Sequence, residues 1–417
     1  MAATQTTPQL GAEAPPATAG LLVSLSPLAP EALHQTLAHL AAAFPGQQLL
    51  VATPDASPAE AAAATPFLRL LPYTPAAPVS GTWILTAADY LNTWELVDRH
   101  RVPAALMLGA ESHTLQPEAL RNLAAAVASA DLVTPRYQLG PRDGLVNSAI
   151  LYPVTRALFG TRPRFPLAID LALSARMCER LAMTAQRCTA AGQNGAFLWP
   201  VSEAAAAGLT IAEVHAGPRG LPPPDASDLN TLLALVAGSL FAEIDLKAGF
   251  WQRARLAYSP RQAALQAETA PGPATSADPG SHDAILTDAQ PMMDSFRLAY
   301  SNLHEIWSLV LPPNTLLGLK KLSLLPPAHF RVPDPLWVRI VYDFILAYRL
   351  RTINRGHLLG ALTPLYLAWV ASHLLLTGRA AAETLAPEKH IEALAAAFEA
   401  DKPYLVSRWR WPDRFNP

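Results

Sequence analysis

The stretch Asp131–Gly160, DLVTPRYQLGPRDGLVNSAILYPVTRALFG, decides how the chain is read. Its first four residues, Asp131 to Thr134, are an apolar run that predicts a buried strand, with Pro135 expected to break it. Arg136, Tyr137, Arg142, Asp143 and Asn147 then follow in quick succession. From about Leu145 to Phe159 the apolar positions recur with helical spacing. Polar groups bunched where a strand gives way to a helix mark the ligand edge of open α/β sheets. A solvated surface loop would carry the same residues.

Upstream, short apolar strands are predicted at Gly20–Ser26 (GLLVSLS), Gln48–Thr53 (QLLVAT), Phe67–Leu71 and Pro103–Leu108 (PAALML). Helices are predicted between them at Pro30–Phe44, from Ser57 (with Glu60 three residues on, as in a capping box), at Thr86–His100 and at Gln116–Ala130. Alternating elements with continuous apolar strands imply an α/β fold whose mainly parallel sheet is covered on both faces. Downstream, Leu171–Ala185 reads as a helix and Leu209–Val214 (LTIAEV) as the last strand. Beyond the Pro-rich Leu221–Pro224 the pattern changes to long helices, near 228–246, 248–266, 288–310, 335–352, 356–376 and 387–400. The expected organisation is a disordered tail over 1–19, an α/β domain over 20–225 and an all-helical domain over 226–417. A flexible linker is expected near 267–285, around APGPATSADPGSH.

Hydrophobic residues make up 51% of the 417 positions and charged residues 15%, so a large core is within reach. A net charge of −2 argues against nucleic acid as a partner. No Lys precedes Lys247, which excludes a P-loop or Schiff-base lysine from the first half. Cys178 and Cys188 have no partner at zinc spacing and read as free thiols of a reducing, cytoplasmic compartment. The first twenty residues lack the basic and apolar regions of a signal peptide. His357–Thr377 is nearly uncharged, but with Pro364 and His373 inside it a buried helix is expected rather than membrane insertion.

Four segments in order carry a resemblance: RYQLGPRDGLVNSAILYPVTRALFG, PLAIDLALS, PLYLAWVASHL (Pro364–Leu374) and FEADKPYLVSRW (Phe398–Trp409). Together they resemble the bacterial GT-A glycosyltransferases related to mannosylglycerate and glucosyl-phosphoglycerate synthases. The resemblance implies a nucleotide-sugar domain followed by a helical domain. It implies transfer of a hexose from a nucleotide-diphosphate sugar to a small polar acceptor, such as a carboxylate or phosphate compound. Such transfer needs the leaving diphosphate neutralised, commonly by Mg²⁺ or Mn²⁺ on carboxylates.

Set against that family, the chain departs at several functional positions. The acidic metal pair falls on Gly109 and Glu111, leaving Glu111 as the metal candidate. The later metal-binding His falls near Ala216–Gly220, where there is none, although His215 lies just before. Gly81-Thr82-Trp83 lacks a Lys, Ala168-Ile169-Asp170 keeps only its acid, Phe197 stands in the place of a candidate catalytic acid and Trp369 in that of an Arg. The donor-side candidates that remain are Ser26, Asp55, Glu111 and Asp170; Asp55 could instead be a turn residue, and Asp170 an N-cap. The acceptor-side candidates are Arg136, Tyr137, Asp143 and Asn147, with Asp143 equally a helix cap and Arg136 suited to grip an anion. The alternative is a catalytically degenerate relative that binds nucleotide, sugar or a protein partner without turnover. The pattern leaves a homo-oligomer open.

Overall fold

The computed structural model describes residues 20–54, 67–73, 84–140, 142–193, 195–220, 229–253, 282–378 and 386–411. Asp55, the Ser57–Glu60 capping signal, Gly81–Trp83 and the tail over 1–19 lie outside them. The α/β half runs β1 (Leu22–Leu25), α1 (Pro30–Ala43), β2 (Leu49–Thr53), β3 (Leu68–Pro72), α2 (Ala87–His100), β4 (Ala104–Leu108), α3 (Pro117–Ala126), β5 (Leu132–Gln138), α4 (Tyr152–Phe159), β6 (Asp170–Ser174), α5 (Ala175–Ala190), α6 (Pro200–Ala207) and β7 (Ile211–Pro218). The strands form one sheet in the order β3-β2-β1-β4-β6-β5-β7. All neighbours are parallel except β6, which runs antiparallel to both β4 and β5. The expected fold class, a mainly parallel α/β sheet followed by helices, is the one observed.

Alternation along the strands explains the two covered faces. Val23, Leu25, Val51 and Leu106 pack with Leu33 and Leu40 of α1 and Leu120 and Leu123 of α3. Leu22, Leu50, Ala105 and Met107 pack on the other face with Leu96 and Val97 of α2 and Met177 and Leu181 of α5. Thr86 and Asp89 close a capping box that starts α2.

Two expectations from the sequence change. Pro135 does not end its strand: β5 continues to Gln138. The reason is that β6 pairs with β5 only at Leu132 and Val133, so beyond them that side of β5 is an edge, where a missing N–H costs little. Likewise Leu171–Ala185 is not one helix, because Asp170–Ser174 is the inserted strand β6. The helix begins after Ser174, whose hydroxyl accepts the Met177 N–H as an N-cap.

After Gly220 the described chain is helical: α7 (Leu229–Leu246), α8 (His282–Val310), α9 (Pro313–Ser323), α10 (Asp334–Leu350), α11 (Arg355–Thr377) and α12 (Pro387–Arg410). α8 starts inside the span expected to be linker. These helices share a core containing Trp251, Trp307, Trp337 and Trp369. α7 and α11 are long and apolar enough to cross a membrane, and 83% of the most apolar window of α11 is buried within the protein. The same core takes in Ala149, Ile150, Leu151, Val154 and Leu158, so the stretch that begins as β5 ends as the joint between the two halves. Asn147–Leu151 is a widened turn of π-helix ahead of α4. Pro153 has no N–H to give the carbonyl four residues back, Ala149, and the Trp337 indole donates to that carbonyl at 2.8 Å instead.

Candidate functional site

In an open sheet the crevice forms where strand order reverses, outside the carboxyl ends of the strands. Here that point lies between β1 and β4. The Ser26 N–H at the end of β1 donates to the Leu108 carbonyl at the end of β4, 2.9 Å away. Because β6 is antiparallel, its first residue, Asp170, sits opposite Leu108. Tyr137 near the end of β5 and Arg219 just past β7 arrive at the same edge. Topology thus gathers Ser26, Glu111, Tyr137 and Asp170, four of the sequence candidates, at one end of the sheet.

The centre of this edge is a buried ion pair. Both side chains of Arg219 and Asp170 are fully shielded from solvent. Arg219 Nε donates to Asp170 Oδ2 at 2.9 Å and Nη2 to Oδ1 at 3.2 Å, a two-pronged contact. The Tyr137 hydroxyl donates to Oδ2 at 2.7 Å and the Gly109 N–H to Oδ1 at 3.1 Å. Burial first, then the charge of Asp170, pushes the Tyr137 phenol well above its usual value, so it stays a donor. Four donors fill the acceptor positions of the carboxylate. Arg219 is equally occupied: its remaining N–H groups reach the carbonyls of Ala110 (2.5 Å), Glu111 and Gly220 (2.8 Å) and the Thr114 hydroxyl (3.1 Å). This arginine, which the sequence reading passed over, holds the loop after β4 closed onto β6 and β7.

That loop explains the departure at Gly109. A Cβ there would lie 2.7 Å from the Ile169 carbonyl oxygen, so no acid fits at this position. Glu111 sits in the left-handed region at φ 58°, a conformation that costs a non-glycine residue about 1 kcal/mol. Its side chain is 43% exposed and its carboxylate is 3.6 Å from His113 Nε2. Among the described residues, no three His, Cys, Asp or Glu side chains are grouped to hold a metal ion. Asp170 is taken by Arg219, so Glu111 is the carboxylate left to a divalent cation at this loop. Mg²⁺ or Mn²⁺ there would draw its other ligands from a bound phosphate and water.

The acceptor-side candidates separate. Tyr137 turns to Asp170, as described. Asp143 Oδ2 accepts the Gly140 N–H at 3.2 Å, closing its own turn. Asn147 is buried and its amide donates to the Arg164 carbonyl at 2.7 Å. Arg136 reaches α12, pairing with Glu388 at 3.1 Å and lying 3.8 Å from Glu213. Burial pushes the Glu213 carboxyl up to about 7. Arg156, 8% exposed in its side chain, binds Glu399 through Nε at 3.0 Å and Nη2 at 3.1 Å, and Glu392 through Nη1 at 2.5 Å. Tyr152 donates to Glu392 at 2.6 Å.

No family model matches the chain, and no curated protein does. Solved structures similar to it include glucosyl-3-phosphoglycerate synthase from Mycobacterium tuberculosis in complex with Mn²⁺, uridine-diphosphate and glucosyl-3-phosphoglycerate. There the identity is 17% over 54% of this chain and 80% of that one, with a TM-score of 0.35. The same enzyme with Mg²⁺ and uridine-diphosphate gives 16% over 55% and 79%, also at 0.35. A mycobacterial protein gives 15% over 53% and 73%, again at 0.35. A likeness at this identity and score transfers neither substrate nor residue roles.

Proposed function

We propose that the chain is a glycosyltransferase-like protein that takes a nucleotide-diphosphate sugar at the crevice between β1 and β4 and presents it to a small polar acceptor. The observation that carries this reading is the convergence of Ser26, Glu111 and the Gly109–Thr114 loop at the point where strand order reverses. In this reading Ser26 and Asp55 face the nucleotide and Glu111 faces the diphosphate, with Mg²⁺ or Mn²⁺ as the neutralising ion. Asp170 serves from behind: it fixes Arg219, and Arg219 fixes the backbone of the loop. Holding that loop rigid is what pre-organises polar groups against a developing charge. Tyr137 belongs with Asp170 in this support, whereas Arg136 flanks the acceptor approach beside α12, with Asp143 closing the turn before it and Asn147 holding the Arg164 backbone.

Thermal unfolding of the full chain with uridine- and guanosine-diphosphate sugars, with and without Mg²⁺ or Mn²⁺, tests the donor half. Product analysis with small hydroxy-acid and phosphate acceptors tests the transfer. A raised Tm with one donor, and a glycosylated product, is the expected result. Stabilisation without turnover in any acceptor panel would reduce the protein to a binder. No stabilisation by any nucleotide sugar would remove the reading altogether.

A further inference from the structure

Residues 306–333 contain no Asp or Glu, but three basic side chains, Lys320, Lys321 and Arg331. The chain has five Lys in all, so an adjacent pair stands out. Lys247 and Lys402 are used internally: the first is buried between Glu203 and Glu243, and the second donates to the Leu158 carbonyl. Lys320, Lys321 and Arg331 are exposed and have no ion-pair partner among the described residues. The two lysines lie on α9 with Leu317 and Leu324 at positions i, i+3, i+4 and i+7, which is one stripe along the helix. Leu317 is 50% exposed and Leu324 76%, the highest value for a large apolar side chain among the described residues. The other side of α9 is already occupied, with Leu319 and Leu322 buried in the helical core.

An amphipathic helix that has buried one face normally turns a polar face to water. α9 turns leucines and lysines outward together, and the pattern extends past its end. Arg297 of α8 donates to the Leu325 carbonyl at 2.7 Å and fixes where α9 stops. The chain then passes Pro326 and Pro327 to His329, Phe330 and Arg331, which with Leu375 and Leu376 of α11 line an open pocket. The pocket thus joins two exposed basic side chains to two buried apolar ones, Phe330 and Leu375. Its wall is anchored, because the Val332 N–H donates to the Ser372 hydroxyl at 2.9 Å. Exposed apolar groups set among unpaired cations mark a surface that meets something both greasy and negatively charged.

We propose that the outer face of α9 docks on an anionic phospholipid surface. Leu317 and Leu324 enter the boundary between headgroups and acyl chains, while Lys320, Lys321 and Arg331 meet the phosphates. The lysine stems lie along the leucines and their ammonium groups reach up to the headgroup level. The docking is peripheral: α9 lies in the plane of the interface, and the longer apolar helix α11 stays in the core, with 83% of its most apolar window buried. A second copy of the chain is a poor occupant, since a two-fold pairing of this face would set lysines against lysines. A nucleic-acid backbone would leave both leucines in water. The proposal is independent of the transferase reading.

The test is flotation of the full chain with vesicles of phosphatidylcholine alone and of phosphatidylcholine mixed equally with phosphatidylglycerol. Binding to the mixed vesicles is expected, weakening as salt is raised, with little on the neutral ones. Replacing both lysines, Lys320→Gln with Lys321→Gln, should weaken it roughly thirtyfold, about fivefold for each. Lys320→Arg with Lys321→Arg should keep it. Leu324→Ser should weaken it roughly tenfold. All of these positions are exposed, so an unchanged Tm serves as the folding control. No binding to the mixed vesicles at low salt overturns the proposal, as do equal binding to both compositions and binding that ignores the loss of the two lysines. Full binding by Leu324→Ser overturns the entry of the leucines. Binding to a glutamate-rich peptide without binding to vesicles overturns the bilayer and gives the face to an acidic protein segment.

Discussion

Two arginines that lie far apart in sequence, Arg219 and Arg164, answer the same problem differently. Both are buried, and both meet a carboxylate. Arg219 has every N–H placed and a partner, Asp170, as inaccessible as itself. Arg164 has an orphan nitrogen, Nη1, and a partner, Glu388, that is half in water. The first is a closed account in which nothing is left for a ligand. The second is unfinished. A buried charge with all its bonds made is read as framework, and one with bonds to spare as a contact that can part.

The contrast can be broken most sharply at Arg219. Arg219→Met strands a buried carboxylate and should cost about 3–5 kcal/mol in urea unfolding. The double change with Asp170→Asn should cost clearly less than the sum of the singles; simple additivity would mean that the pair is not coupled. Gly109→Ala forces a methyl against the Ile169 carbonyl and should cost roughly 1–3 kcal/mol. A neutral result there would show that the loop after β4 can yield.

Glu388→Gln sits at the other pole and should change stability by about 1 kcal/mol or less, as for an exposed pair. A loss as large as that of Arg219→Met would make Glu388 framework too and erase the distinction. Glu111→Gly should stabilise by about 1 kcal/mol by relieving the left-handed backbone while deleting the carboxylate. A donor-dependent Tm shift that survives this change would take Glu111 out of donor binding.

Glu213 connects the comparison to pH. Burial raises its folded carboxyl from 4.5 to about 7, so between these values the native state holds more protons than the unfolded chain. Stability from this group is present below pH ~4.5 and is lost as pH rises through about 7. Asp343 in α10, which burial likewise lifts to about 7, adds a slope of the same sign starting from 3.8. Unfolding free energies measured from pH 5 to pH 8 should therefore decline more steeply in wild type than in Glu213→Gln.

How much of this was legible in the sequence follows from the range of the signals. The apolar runs at Leu22–Leu25, Leu49–Thr53 and Ala104–Leu108 are local, and the strands fall where they were expected. β6 was hidden because DLALS is as apolar as a helix stripe, and five residues cannot separate the two periods. Ser174 was the available signal, an N-cap residue placed where the helix does begin. Pro135 misled because its tolerance depends on where β6 stops pairing, which no neighbour in the chain announces. At the candidate site, Glu111 and Asp170 were visible as acids, but Arg219 was not, since its role comes from topology. Arg164 and Glu388 are 224 positions apart, and nothing in their local spacing points from one to the other.

That separation has a temporal side. Arg156 meets Glu399 across 243 positions, and Lys402 reaches back to the Leu158 carbonyl over 244. At translation rates of about 5–20 residues per second, the helix carrying these partners leaves the ribosome some 10–50 s after α4, the segment it fastens. Throughout that interval Arg156 waits without the two carboxylates that later take up its N–H groups. α12 is therefore the clasp fastened last, and the rate at which newly made chains become protease-resistant should follow its synthesis rather than that of β7.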